Sequence, residues 1–184
     1  MENKILIVNL CKEKLHYFEF VKPVEDILKK ESIEYETTSK KLDGRELKRY
    51  NKIIICGTSL QDNEYLDNIE DFEWIKNYKG KILGICAGMQ IICKLFGCKL
   101  KKNTDIGMKM ISIKRDFLGI QGWNEVYELH NYEIVEDYNI ERKFVIFSQG
   151  SIDVIKHREK DIYGVLFHPE ARQKEIIKNF ARLT

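Results

Sequence analysis

Cys86 lies in the run Gly84-Ile85-Cys86-Ala87-Gly88-Met89-Gln90, and His168-Pro169-Glu170 follows far along the chain. A cysteine, a histidine that can take its proton and a carboxylate that can orient the histidine are the parts of a Cys-His-Glu triad for nucleophilic attack. Glycines around Cys86 suit a sharp strand-to-helix turn that exposes the thiol, and a helix N-terminus there favours the thiolate. Pro169 keeps its segment extended, so that Glu170 can reach back to the imidazole. Taken alone, Cys86 would read as a small buried hydrophobe. The glycine frame and the His-Pro-Glu element favour the reactive reading.

These residues need a scaffold. Lys81-Ile82-Leu83-Gly84-Ile85 reads as a buried strand leading into Cys86, and Met89, Ile91, Ile92, Leu95 and Phe96 give the next segment an apolar helical face that Gly97 can end. Lys4 to Val8, Lys52 to Cys56 and Ile162 to Phe167 are further continuous apolar strands, and Ile33 to Thr38 is another strand candidate. Helices are expected from Val21 to Lys30, with Pro23 in the first turn, briefly from Glu46 to Tyr50, and from Arg172 to Leu183. Apolar strands alternating with helices predict an α/β fold of three layers, with a mostly parallel central sheet. From about Ile106 the pattern turns to shorter, alternating stretches (Met108 to Lys114, Glu125 to His130, Phe144 to Ser148, Ile152 to His157), which predict a small antiparallel edge. In such sheets the site lies at the carboxyl ends of the strands, where Gly57, Cys86 and His168 all fall.

The 184 residues carry a net charge of only +2, with basic and acidic residues interleaved, so no nucleic-acid stripe is present. No apolar run reaches the roughly 20 residues of a membrane span, and the N-terminus has no signal-peptide pattern. Five cysteines, an odd number, several of them in apolar segments, argue against a disulfide framework and for a cytoplasmic location. Cys93 and Cys98 have no second Cys/His pair to complete four ligands, so no metal site is expected. His157 reads as part of a solvated turn, and His16 has no visible partner. Nothing marks an internal boundary, and residues 1–184 are read as one domain.

Gly-x-Cys-x-Gly-x-Gln followed late in the chain by His-Pro-Glu resembles the class I, triad-type glutamine amidotransferase domain, and the resemblance spans nearly the whole chain. It implies the flavodoxin-like fold of that class and a glutaminase. Cys86 would attack the side-chain amide of L-glutamine to form a γ-glutamyl thioester, with His168 as acid and base and Glu170 as its orienting partner. The amide of Ala87 and the loop at Gly57 would form the oxyanion hole. Where the family has Gly-Gly-Pro, this chain has Gly57-Thr58-Ser59. Gln90, His130 and Asn131 fall where the family contacts its substrate, although Leu129 stands where a serine often precedes the histidine. The stretch from Lys143 to Glu170 is closest to the glutaminase of the GMP synthetase type, whereas Asn9-Leu10-Cys11-Lys12 departs from that type.

The chain shows no ATP-binding Gly-rich loop, so the resemblance implies transfer of ammonia to an ATP-dependent synthetase as partner, with no cofactor of its own. Two other readings fit the same motifs. One is a stand-alone cysteine hydrolase such as a γ-glutamyl peptidase, and the other is a regulatory binding module with weakened catalysis.

Overall fold

The computed structural model describes residues 4–184. Seven strands form the main sheet, in the order β2 (Tyr35–Thr38), β1 (Ile5–Val8), β3 (Lys52–Ile55), β4 (Lys81–Ile85), β9 (Ile162–Val165), β8 (Val154–His157) and β7 (Phe144–Ile146). The first five are mutually parallel, and β8 and β7 add the antiparallel edge. Because side chains alternate along a strand, apolar runs such as Ile53-Ile54-Ile55 supply both faces of the sheet. Ile54, Leu83 and Ile85 pack with Val24 and Leu28 of α2 (Lys22–Lys30) and with Ile176, Ile177 and Phe180 of α5 (Glu175–Arg182). Ile53, Ile55 and Ile82 pack on the other side, with Met89, Ile91 and Ile92 of α3 (Ala87–Leu95) and Phe144. The result is the three-layer α/β architecture that the sequence predicts.

The parallel register explains how distant residues meet. Ile55 pairs with Gly84 and Ile85 with Val165, so β3, β4 and β9 end side by side. The residues just beyond those ends include Gly57, Cys86 and His168. Before α2 the chain passes through α1 (Lys14–His16) and a π-helical turn, Tyr17–Val21. Pro23 supplies no amide and crowds the carbonyl four residues earlier, which accounts for a widened turn at this point. That turn places Phe20 against His168, with ring centroids 5.1 Å apart.

The region expected to hold short strands instead forms one long two-stranded ribbon, β5 (Leu100–Phe117) with β6 (Ile120–Ile134). Cross-strand backbone bonds continue the pairing through Lys101 and Lys102, where side-chain alternation gives no signal. Its turn, Leu118-Gly119, has positive φ at both residues, and Leu118 is held by a hydrogen bond from Asn179 Nδ2 to its carbonyl, 3.0 Å. One ribbon face buries Ile111, Ile113 and Val126, while Ile106, Met108, Met110 and Trp123 are exposed. The last helix starts at Glu175, later than Arg172, and a short α4 (Tyr138–Lys143) precedes β7. No helix among the described residues is long and apolar enough to cross a membrane.

Candidate active site

Cys86 sits between β4 and α3 with φ 48° and ψ −104°, a conformation that L-residues rarely adopt. The two motif glycines make it possible. A Cβ on Gly88 would lie 2.3 Å from the Ile55 carbonyl oxygen, and one on Gly84 would lie 2.7 Å from the Gly88 carbonyl carbon. With neither Cβ present, strand and helix close tightly enough to force the turn. The Cys86 amide donates to the Val165 carbonyl, 2.8 Å, and its own carbonyl accepts from Gln90 N–H, 3.0 Å, so both sides of the turn are tied down.

His168 and Glu170 come from the segment after β9. His168 Nδ1 lies 2.7 Å from Glu170 Oε1, and both side chains are buried. Burial pulls the imidazole down, but the Glu170 carboxylate and then the Cys86 sulfur outweigh it and hold His168 well above the ordinary histidine range. Gly57 is the close-approach position between the two reactive side chains. A Cβ there would stand 2.6 Å from His168 Cε1 and 3.3 Å from Cys86 Cβ. A cavity of about 340 Å³, lined by Phe20, Pro23, Tyr127, Leu129, His168 and Glu170, opens beside this group. A larger one, about 600 Å³, lies between Leu47, Tyr50, Trp74 and Tyr78 and touches none of these residues.

The loop after Gly57 is secured by contacts that the sequence does not reveal. Thr58 Oγ1 donates to Asp62 Oδ2 at 2.7 Å, and His16 Nδ1 lies 2.9 Å from the same oxygen. Burial works against the Asp62 charge, yet Thr58 and His16 keep its carboxyl below the ordinary range. His16 thus has a partner after all, 46 residues away, too far along the chain for local reading. Cys11 Sγ is 3.8 Å from the Gly57 carbonyl oxygen, and burial raises its thiol to about 11.

Gln90 is fully buried; its Oε1 accepts from Tyr65 OH at 2.5 Å and its Nε2 donates to the Tyr132 carbonyl at 2.8 Å. Asn131 Nδ2 donates to the Leu60 carbonyl at 2.7 Å. His130 points to the far side of β6, its Nε2 3.1 Å from Glu128 Oε2, with both side chains buried. What this segment offers Cys86 is main chain. The Leu129 carbonyl oxygen lies 3.4 Å from Cys86 Sγ and 3.3 Å from His168 Nε2. Strand alternation explains the outcome, since neighbours 129 and 130 must face opposite ways. Leu129 and Phe20 are the neighbours of the site that side-chain motifs could not disclose. His157 is not in a solvated turn; it is a buried β8 residue packed against Phe96 and Phe144, because the strand runs on to include it.

No group of three or more His, Cys, Asp or Glu among the described residues is arranged to hold a metal ion. A sulfur on a strained elbow, an imidazole charged by a buried carboxylate and an adjoining cavity together suit acyl transfer through a thioester.

Comparison with known proteins agrees with this geometry. The glutamine-hydrolyzing GMP synthase of Saccharolobus solfataricus has a subunit that is 29% identical over 145 residues, 73% of this chain and 77% of that one. The Pyrococcus abyssi protein of the same name is 32% identical over 143 residues, 71% and 73% of the two chains. Among solved structures, the putative counterpart of this GMP synthase component from Thermoplasma acidophilum superposes with a TM-score of 0.82 at 23% identity, covering 97% of this chain and 92% of that one. A glutamine amidotransferase from Thermotoga maritima gives 0.72 at 17% identity, covering 98% and 83%. The family profile described as Glutamine amidotransferase class-I matches residues 19–182, and the chain belongs to that family.

Proposed function

We propose that this chain is the glutaminase component of an amidating enzyme: it hydrolyses L-glutamine and supplies ammonia to an ATP-dependent synthetase of the GMP synthase type. The observation that carries this reading is the meeting of Cys86, on its strained turn, with the buried His168–Glu170 pair at 2.7 Å. Cys86 sulfur attacks the side-chain carbonyl carbon of glutamine, forming a C–S bond and a tetrahedral oxyanion. The amides of Ala87, first residue of α3, and of Gly57, in the loop beside the sulfur, are assigned to that oxyanion. His168 gives its proton to the departing nitrogen, the C–N bond breaks, and ammonia leaves a γ-glutamyl thioester. Water then attacks the thioester carbon while His168 takes its proton. The C–S bond breaks, glutamate departs and the thiol is restored. Glu170 keeps the imidazole oriented and balances its charge throughout.

Gln90 stands one turn beyond the nucleophile and links Tyr65 to Tyr132, so we assign it to shaping the substrate end of the site together with the main chain of His130 and Asn131. The GMP synthase reading of the acceptor rests on the names of the relatives and on the likeness of the C-terminal third.

The test is intact mass after incubation with a glutamine-mimicking electrophile, for wild type and Cys86→Ala, with and without a GMP-synthase-type synthetase and its nucleotide substrates. One adduct on wild type only, suppressed by excess glutamine, is the expected result. Absence of the adduct in the complete mixture would reject a glutamine-specific nucleophile, and suppression by γ-glutamyl peptides but not by glutamine would make the chain a peptidase.

A further inference from the structure

Strand β6 meets the site along one edge. The carbonyls of Glu125, Tyr127 and Leu129, every second residue, all turn the same way. Glu125 accepts from Gln173 Nε2 at 3.0 Å, and Tyr127 accepts from the His168 backbone N–H at 2.9 Å. The third carbonyl, of Leu129, lies against the reacting groups themselves, 3.4 Å from Cys86 Sγ and 3.3 Å from His168 Nε2.

A carbonyl oxygen can only accept hydrogen bonds. Both contacts are satisfied when the thiol keeps its proton and the imidazole carries one on Nε2. The other ring nitrogen, Nδ1, already faces the Glu170 carboxylate at 2.7 Å, which needs a proton there as well. The resting arrangement is therefore a thiol beside an imidazolium, one proton more than either state of the attacking pair. A thiolate in this position would face the negative end of the carbonyl dipole, and His168 has no free lone pair with which to accept the thiol proton. The same oxygen fills the approach to the sulfur that a glutamine side chain must take.

We propose that the Leu129 carbonyl is a resting-state latch on the nucleophile, released when the edge of β6 shifts, and that Gln173 is a positioning residue that sets the latch through its bond to Glu125. Several features make the edge separable from the site. Strand β6 belongs to the two-stranded sheet, where its ladder partner is β5, while Cys86 and His168 are carried by the main sheet. Gln173 lies outside any helix or strand, just before α5, and Arg172 beside it pairs with the Glu125 side chain. The anchor of the edge is thus a peripheral pair of contacts, remote from the fold's core. The proposal deepens the glutaminase reading and rests on Cys86 being the nucleophile.

Two measurements test it. First, the rate at which iodoacetamide modifies Cys86 at pH 7, followed by peptide mass, is compared among wild type, Gln173→Ala and Gln173→Lys. This reagent needs no glutamine recognition, so the result is separable from failure of the glutaminase reading. Gln173→Ala should react about five-fold faster, the factor carried by one ordinary hydrogen bond. Gln173→Lys, whose ammonium can still donate to the Glu125 carbonyl, should return towards the wild-type rate. Equal or slower modification of Gln173→Ala, with an unchanged melting temperature, would overturn the proposal. Second, ¹⁵N NMR of the wild-type protein at pH 7 should find protons on both ring nitrogens of His168, whereas a neutral ring would overturn the latch without recourse to any variant.

Discussion

Replacing Gly57 with alanine tests whether the loop after β3 works by close approach. The added methyl carbon would lie 2.6 Å from His168 Cε1, 3.2 Å from Nδ1 and 3.3 Å from Cys86 Cβ. The first contact falls about 0.8 Å short of ordinary van der Waals separation, which begins at 3.4 Å. The imidazole has little room to yield, because Nδ1 is already at 2.7 Å from Glu170 and Phe20 packs against the ring. Overpacking of this kind costs roughly 1–3 kcal/mol, and each kcal/mol lowers the melting temperature of a chain this size by about 2–4 °C. A ring displacement approaching 1 Å costs on the order of 100-fold in rate. The assay pairs a thermal melt with the rate of Cys86 labelling by the glutamine-mimicking electrophile, in the presence of the synthetase. Gly44→Ala is the control, since nothing lies within 4 Å of its added carbon. If Gly57→Ala labels and melts like wild type while Gly44→Ala does the same, the loop does not confine the imidazole and the reasoning fails.

Glu170→Gln should lower glutamine turnover by roughly 10²–10⁴-fold, read in a coupled glutamate assay. It should also change the pH dependence of stability. The raised His168 value means that its stabilising charge is fully present below the unfolded-state value and is lost as pH rises through the folded one, so wild type should lose more melting temperature than Glu170→Gln on the alkaline side. Burial pushes the Asp153 carboxyl up to about 6, so folding favours its protonated form and stability falls as pH rises from about 4 through that value. Asp153→Asn should therefore be more stable than wild type at pH 8, by on the order of 2–3 kcal/mol, and no better at pH 4, as denaturant titrations at the two pH values would show. Cys86→Gly should melt above Cys86→Ala by the equivalent of about 1 kcal/mol, because only glycine occupies φ 48° and ψ −104° without steric cost; equal melting would mean that the turn stores no strain.

Much of the scaffold is legible because its signals are local. Continuous apolar runs at Ile5, Ile53, Ile82 and Ile162 announce buried parallel strands, and the register of β3, β4 and β9 follows from their adjacency. Cys86, His168 and Glu170 come out of the motifs because each is a side chain at a fixed distance from a strand end. The remainder depends on partners or on atoms that side-chain patterns do not encode. His16 meets Asp62, Gln90 meets Tyr65, and Glu128 meets His130 only once the chain has folded. Leu129 acts through a backbone oxygen, which every residue possesses, so no choice of side chain marks it. His157 suggests a solvated turn because Lys156, Arg158 and Glu159 around it are polar, while its own ring faces Phe96 and Phe144.

The parts that perform chemistry and the strand that faces them belong to separate hydrogen-bonded sheets. This division bears on how such a chain diversifies. Substitutions along the outer part of the ribbon, where Lys101, Lys102, Met108 and Met110 are poorly buried, leave the ladder beneath Cys86 and His168 untouched. Descendants can therefore rewrite the ribbon to suit a different recipient enzyme while inheriting the reaction chemistry unchanged, so that drift in one sheet is uncoupled from selection on the other.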